Sequence, residues 1–137
     1  MSEVAPTDQD YTSALGRAVF EFARLEWLAV QCCDTIKEGS VEELSERTAG
    51  RVADTLLHLA RGLASSLAAS ELQEAAEDFR AYVGTRNNLL HAKPAFNAEG
   101  QERLFRDGDQ WTLAELDAVR LAFEKCGTRL QSWLSEV

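Results

Sequence analysis

Apolar residues recur at helical spacing through nearly all of this chain and lose that period in one internal stretch, residues 94 to 111. A chain patterned this way buries its apolar stripes by packing helices on one another. In the first segment Leu15, Val19, Phe22, Ala29 and Cys33 predict a helix over 12–37. A second band, Phe20, Ala23, Trp27 and Val30, leaves it only a narrow polar face around Arg17, Glu21, Arg24 and Gln31. A helix apolar on two sides packs on two neighbours, and a second subunit can be one of them. Gly39 ends that helix, and Ser40-Val41-Glu42-Glu43 has the pattern of a capping box opening the next. After a break near Thr48-Ala49-Gly50 this segment runs to about residue 66, with Val52, Leu56, Leu59 and Leu63 inward and Leu57 facing away.

The third segment is predicted from Ser70, as N-cap, to His91, where Lys93-Pro94 stops it. Between Pro94 and Trp111, Asn97-Ala98-Glu99-Gly100 and Asp107-Gly108 read as turns around a short β-hairpin or ordered loop. Thr112-Leu113-Ala114-Glu115 then caps a last helix with Leu116, Val119, Phe123, Cys126, Leu130 and Leu134 inward. The expectation is an all-α, antiparallel four-helix bundle, one domain over 12–135, with a short β-hairpin or loop between the third and fourth helices. Residues 1–11 are expected to form a flexible N-terminal segment. At 137 residues the chain can bury a sizeable core without staples.

One stripe is interrupted. The third helix reads Leu72, Ala76, Phe79, Val83, then Arg86, then Leu90, which puts a guanidinium where a core residue belongs. An unpaired buried charge costs several kcal/mol, so Arg86 must find a carboxylate or face a wet cleft. Glu26, which interrupts the stripe of the first helix, is the most economical partner. His91 lies about 140° round the wheel from Arg86, so the two side chains share a site only through distortion of the helix end or through a second chain.

Composition narrows the functions available. A net charge of −9 opposes a broad electrostatic grip on nucleic acid, which needs several phosphate contacts, but a small cationic notch can still handle one phosphodiester. Cys32, Cys33 and Cys126 are badly placed for a disulfide framework and read as small core residues in a reducing compartment. His58 reads as an exposed helical residue; with His91 it makes two histidines without a third ligand, and no metal or other cofactor is expected. Trp27, Trp111 and Trp133 read as packing or interface residues, and the glycines form no phosphate loop. No apolar run reaches membrane-spanning length and the first residues lack signal-peptide character, so a cytoplasmic protein without membrane contact is expected.

The six residues Arg86-Asn87-Asn88-Leu89-Leu90-His91, closing the third long helix of a small helical bundle, resemble the motif of the HEPN family, named for its presence in higher eukaryotes and prokaryotes. Its active members are four-helix bundles carrying Arg-x4–6-His, commonly with a polar residue after the arginine. Arg86, Asn87 and His91 match all three features. The resemblance implies metal-independent RNA cleavage by a homodimer whose paired helices bring two motifs together, with Arg86 and His91 catalytic and Asn87 assisting. It also implies a toxin–antitoxin or defence setting, with an antitoxin protein as partner. The residue types suit that chemistry: an imidazole moves a proton near neutral pH, and a guanidinium holds a phosphate bidentately. The alternative is a non-catalytic bundle of the same fold that binds a nucleotide or a partner protein, with Arg86 locked to Glu26 and His91 a polar helix cap.

Overall fold

The computed structural model describes residues 7–137. In chain order it has α1 (Asp8–Ile36), α2 (Ser40–Leu44), α3 (Ala49–Arg61), α4 (Leu67–Leu90), β1 (Lys93–Phe96), β2 (Glu102–Arg106), β3 (Asp109–Gln110) and α5 (Leu113–Glu136). The described residues form a mostly helical bundle, with five helices where the sequence pattern predicts four. The aperiodic stretch forms a three-stranded antiparallel sheet of order β1-β2-β3. Residues 1–6 of the expected N-terminal segment lie outside the described residues. The rest of that segment is ordered: Thr7 caps α1, its hydroxyl accepting from the Asp10 N–H while the Asp10 carboxylate accepts from the Thr7 N–H.

Two other helix starts differ from expectation. Ser66, not Ser70, caps α4, its hydroxyl accepting from the Ala69 N–H. Ser40 is no cap, because its hydroxyl donates back to the Lys37 carbonyl, and Gly39, at φ 95°, takes the cap position of α2. Asp34 holds that corner, its Oδ1 accepting from the N–H groups of Gly39 and Val41.

The helices are not all antiparallel. Tyr11 reaches Trp111 at one end of α1 and α5, and Cys32 Sγ lies 3.9 Å from the Leu130 carbonyl at the other, so these neighbours run parallel. Between them in sequence, α4 runs against α5, pairing Ala75 with Cys126 and Tyr82 with Phe123. α3 opposes α4 through Asp54–Arg80 and Arg61–Glu77. α2 makes this order feasible by carrying the chain back beside α1, where Leu44 and Val52 face Ala23, Glu26 and Val30 across a small cavity.

Phe22 centres the main core, with ring centroids 6.0 Å from Phe79 and 5.2 Å from Phe123. A second cluster of Tyr11, Ala14, Ala18, Leu89, Trp111 and Leu116 joins the sheet and the end of α4 to the start of α1. It corrects one detail of the wheel: Leu89 is buried and Leu90 is half exposed, because the cover at that end comes from Trp111 and Leu116 on the α5 side. Leu57 is buried as well, on the second apolar flank of α3.

The Tyr11 hydroxyl donates to the Trp111 carbonyl at 2.7 Å and accepts from the Leu104 N–H at 3.1 Å. Arg103, buried, lies over the ring at 4.7 Å and pairs with Asp8 at 2.8 Å. Tyr11→Phe leaves two backbone groups without that hydroxyl and is expected to cost about 1–3 kcal/mol, read as a lower midpoint in denaturant melts at unchanged helix content.

Candidate active site

α4 delivers Arg86 one turn before its end, against α1. The guanidinium carbon lies 4.7 Å from the Phe22 ring centroid, a cation–π arrangement. Its Nε is shielded from solvent and has no hydrogen-bond partner. The expected lock to Glu26 does not form: among the described residues no ion pair within 4.0 Å joins the two. Burial pushes the Glu26 carboxyl above its ordinary value, and the charge of Arg86 only partly opposes that. The arginine is tolerated in the stripe by stacking on an aromatic face and by partial exposure, which lets its charge remain hydrated.

A pH dependence follows. A raised folded-state pKa means the folded chain holds that proton more tightly than the unfolded chain, so the ionised carboxylate weighs against folding. The penalty is absent below about pH 4, the unfolded carboxyl value, and grows as pH rises through the raised folded value. Glu26→Gln is therefore expected to match the wild type in melting temperature at low pH and to equal or exceed it at neutral pH. A loss of about 3–5 kcal/mol at neutral pH, the cost of breaking a buried pair, would overturn this account.

His91 is the C-cap residue of α4 and its side chain is exposed. Its backbone N–H donates to the Asn87 carbonyl at 3.0 Å, and the Asn87 side chain is also exposed. Within one chain no hydrogen bond links Arg86 with His91, as the wheel anticipates. The helix end is anchored from the sheet: Arg106 Nε donates to Asn88 Oδ1 at 2.9 Å. Arg106 and the Phe22 ring are parts of this site that the sequence does not reveal, since neither carries a motif and both reach α4 only through tertiary packing.

Val19, Ala23 and Glu26 share a face of α1 at i, i+4, i+7 spacing, with Trp27 on its border. Val19 is 40% exposed, Trp27 48% and Leu90 50%, so the apolar surface of α1 and the end of α4 is left uncovered by this chain. Trp111 and Trp133 are buried, whereas His58 is exposed on α3.

Other chemistry is poorly served. Burial pushes the thiols of Cys32, Cys33 and Cys126 up to about 12, which leaves them un-ionised at neutral pH and inert as nucleophiles. Among the described residues no three His, Cys, Asp or Glu side chains group in a way that could hold a metal ion. No helix among them is long and apolar enough to cross a membrane. A cleft of about 540 Å³ between α1 and α5, floored by Leu25, Leu28, Phe123 and Gly127, is lined by neither Arg86 nor His91. Comparison of the chain with protein-family models, with curated proteins and with solved structures returns no match.

Proposed function

We propose that the chain is a metal-independent endoribonuclease of HEPN type that works as a homodimer. The observation that carries this reading is the state of Arg86, whose guanidinium is held against Phe22 but committed to no carboxylate, with an exposed histidine at the end of the same helix. An arginine serving only the fold would be expected to spend its donors on Glu26; this one keeps them for an oxyanion.

In the proposed reaction the RNA supplies its own nucleophile. A ribose 2′-hydroxyl attacks the adjacent phosphorus, the bond to the 5′-oxygen breaks, and the products are a 2′,3′-cyclic phosphate and a 5′-hydroxyl. Arg86 holds the non-bridging oxygens as their charge grows, and His91 moves a proton to or from the reacting oxygens. Asn87 orients the phosphate or the imidazole through its amide. Because Arg86 and His91 diverge on one helix, the working site takes Arg86 of one protomer with His91 of its partner. The uncovered surface of Val19, Ala23, Trp27 and Leu90 is where the two protomers meet.

The test is cleavage of single-stranded RNA by the purified chain with and without a chelator, product ends being read by mass spectrometry. Cyclic phosphate ends and chelator-resistant cleavage are expected. Sedimentation at micromolar concentration should give twice the 15.2 kDa chain mass, and Val19→Asp should return it to the monomer with loss of cleavage. A wild-type monomer that still cleaves RNA would refute the composite site.

A further inference from the structure

A second cleft, of about 450 Å³, opens where α1 meets α5 and is lined by Ser13, Gly16, Arg17, Phe20, Glu21 and Arg120. Arg17 is nine residues before Glu26, which at about 100° per residue puts it on the opposite side of α1 from the face beside Arg86. The cleft is therefore separate from the motif.

Its donors are only partly committed. Arg120 spends Nη1 on Glu124 at 3.1 Å, while its Nε is shielded from water with no hydrogen-bond partner. An Nε cut off from water is out of reach of a ligand in the cleft, so what Arg120 offers an anion is its charge and the Nη2 group that no hydrogen bond engages. Arg17 is exposed and forms no ion pair among the described residues, and the Ser13 hydroxyl likewise has no partner there. Gly16, between them, presents no side chain, and a Cβ built on it meets nothing within 4 Å, so the cleft floor is open to a ligand.

The charges near the cleft favour an anion. Glu21 is 3.8 Å from Arg24 and Glu124 is bound to Arg120, which leaves the charge of Arg17 in surplus on a chain of net charge −9. Beside the cations stands Phe20, 60% exposed, with the Arg24 guanidinium 5.2 Å from its ring centroid. Exposed aromatic area next to paired guanidinium groups suits a ligand with a flat ring at one end and a phosphate at the other. A carboxylate offers two oxygens to this set, whereas a phosphate monoester offers three and a second negative charge.

We infer that this cleft binds a nucleoside monophosphate, its phosphate held by Arg17, Arg120 and Ser13 and its base against Phe20. The ligand chemistry is shared by a free mononucleotide and by the phosphorylated terminal nucleotide of a strand.

Calorimetric titration with 5′-AMP, adenosine, inorganic phosphate and an uncleavable DNA oligonucleotide carrying a 5′-phosphate tests the assignment. AMP should bind and adenosine should not. Arg17→Ala and Arg120→Ala should each weaken AMP ~tenfold. Phe20→Ala should weaken AMP while leaving phosphate binding unchanged. Arg17 is exposed, so its variant stays informative even where Arg120→Ala loses helix content. His91→Ala should bind AMP as the wild type does, which separates this site from the motif whatever becomes of the nuclease reading. An oligonucleotide that outcompetes AMP places the natural ligand at a strand end, and one that competes less well places it as the free nucleotide. Absence of heat with millimolar AMP, unchanged affinity in folded Arg17→Ala, or loss of binding in His91→Ala would each overturn the assignment.

Discussion

His91→Ala is expected to cut RNA about a hundredfold to ten-thousandfold more slowly than the wild-type chain, the range over which a positioned acid–base group contributes. The size follows from the task. A 2′-hydroxyl is a weak nucleophile and an RNA 5′-oxygen a poor leaving group until a proton is moved, and an imidazole is the side-chain type suited to moving it. A guanidinium offers charge and hydrogen-bond donors but no proton transfer, which leaves that part of the task to the histidine.

The same variant is a clean test because His91 is exposed at a helix end. Truncating its side chain removes no core contact, so stability should stay within about 0.5 kcal/mol of wild type. His58→Ala, on an exposed face of α3, should cleave at the wild-type rate and serves as the control for histidine loss. Full activity in folded His91→Ala would refute the proposed mechanism. A wild-type chain inert on every RNA tried would favour the non-catalytic alternative, and Arg86 would then be read as an arginine stacked in a core.

What could be read from the chain beforehand was governed by how local each cause is. In the stripe Leu116, Val119, Phe123, Cys126, Leu130 and Leu134, Val119 and Leu134 are half-buried against the core and the others are buried, and the turns at Asn97–Gly100 and Asp107-Gly108 lie between strands, because turn chemistry acts over a few residues. The structure departs from the sequence pattern where two segments pack against each other. Leu89 and Leu90 are neighbours on the wheel's flank, and only the position of Trp111 and Leu116 decides which is covered. Ser66 outcompetes Ser70 because the chain leaving α3 has already turned by residue 66. The parallel pairing of α1 with α5 depends on α2 folding back, which no periodicity encodes. At the site, the interruption at Arg86 was visible, but its aromatic seat was not: Phe22 reads as an ordinary core residue until α4 is laid across it.

Phe22→Ala should destabilise the chain by about 3–5 kcal/mol, the cost of deleting an aromatic side chain from a packed core. The ring is 2% exposed, contacts Phe79 and Phe123 and carries Arg86 on its face. For a domain of this size that corresponds to a fall in melting temperature on the order of 10 °C or more. Such a variant says little about catalysis, since lost activity would follow from lost structure. Phe22→Leu separates the two roles. It retains most of the apolar volume and should cost about 1–1.5 kcal/mol, leaving helix content intact at 25 °C. It also removes the π-face beneath the guanidinium, an interaction of about 0.5–2 kcal/mol that fixes where Arg86 points. Cleavage by Phe22→Leu should therefore drop by up to about tenfold, mostly in kcat, because the arginine must be held where charge develops on the phosphate. The AMP site on the far side of α1 should not notice the change. Equal cleavage by the leucine variant would mean that Phe22 serves the core alone and that Arg86 finds its orientation from the bound phosphate.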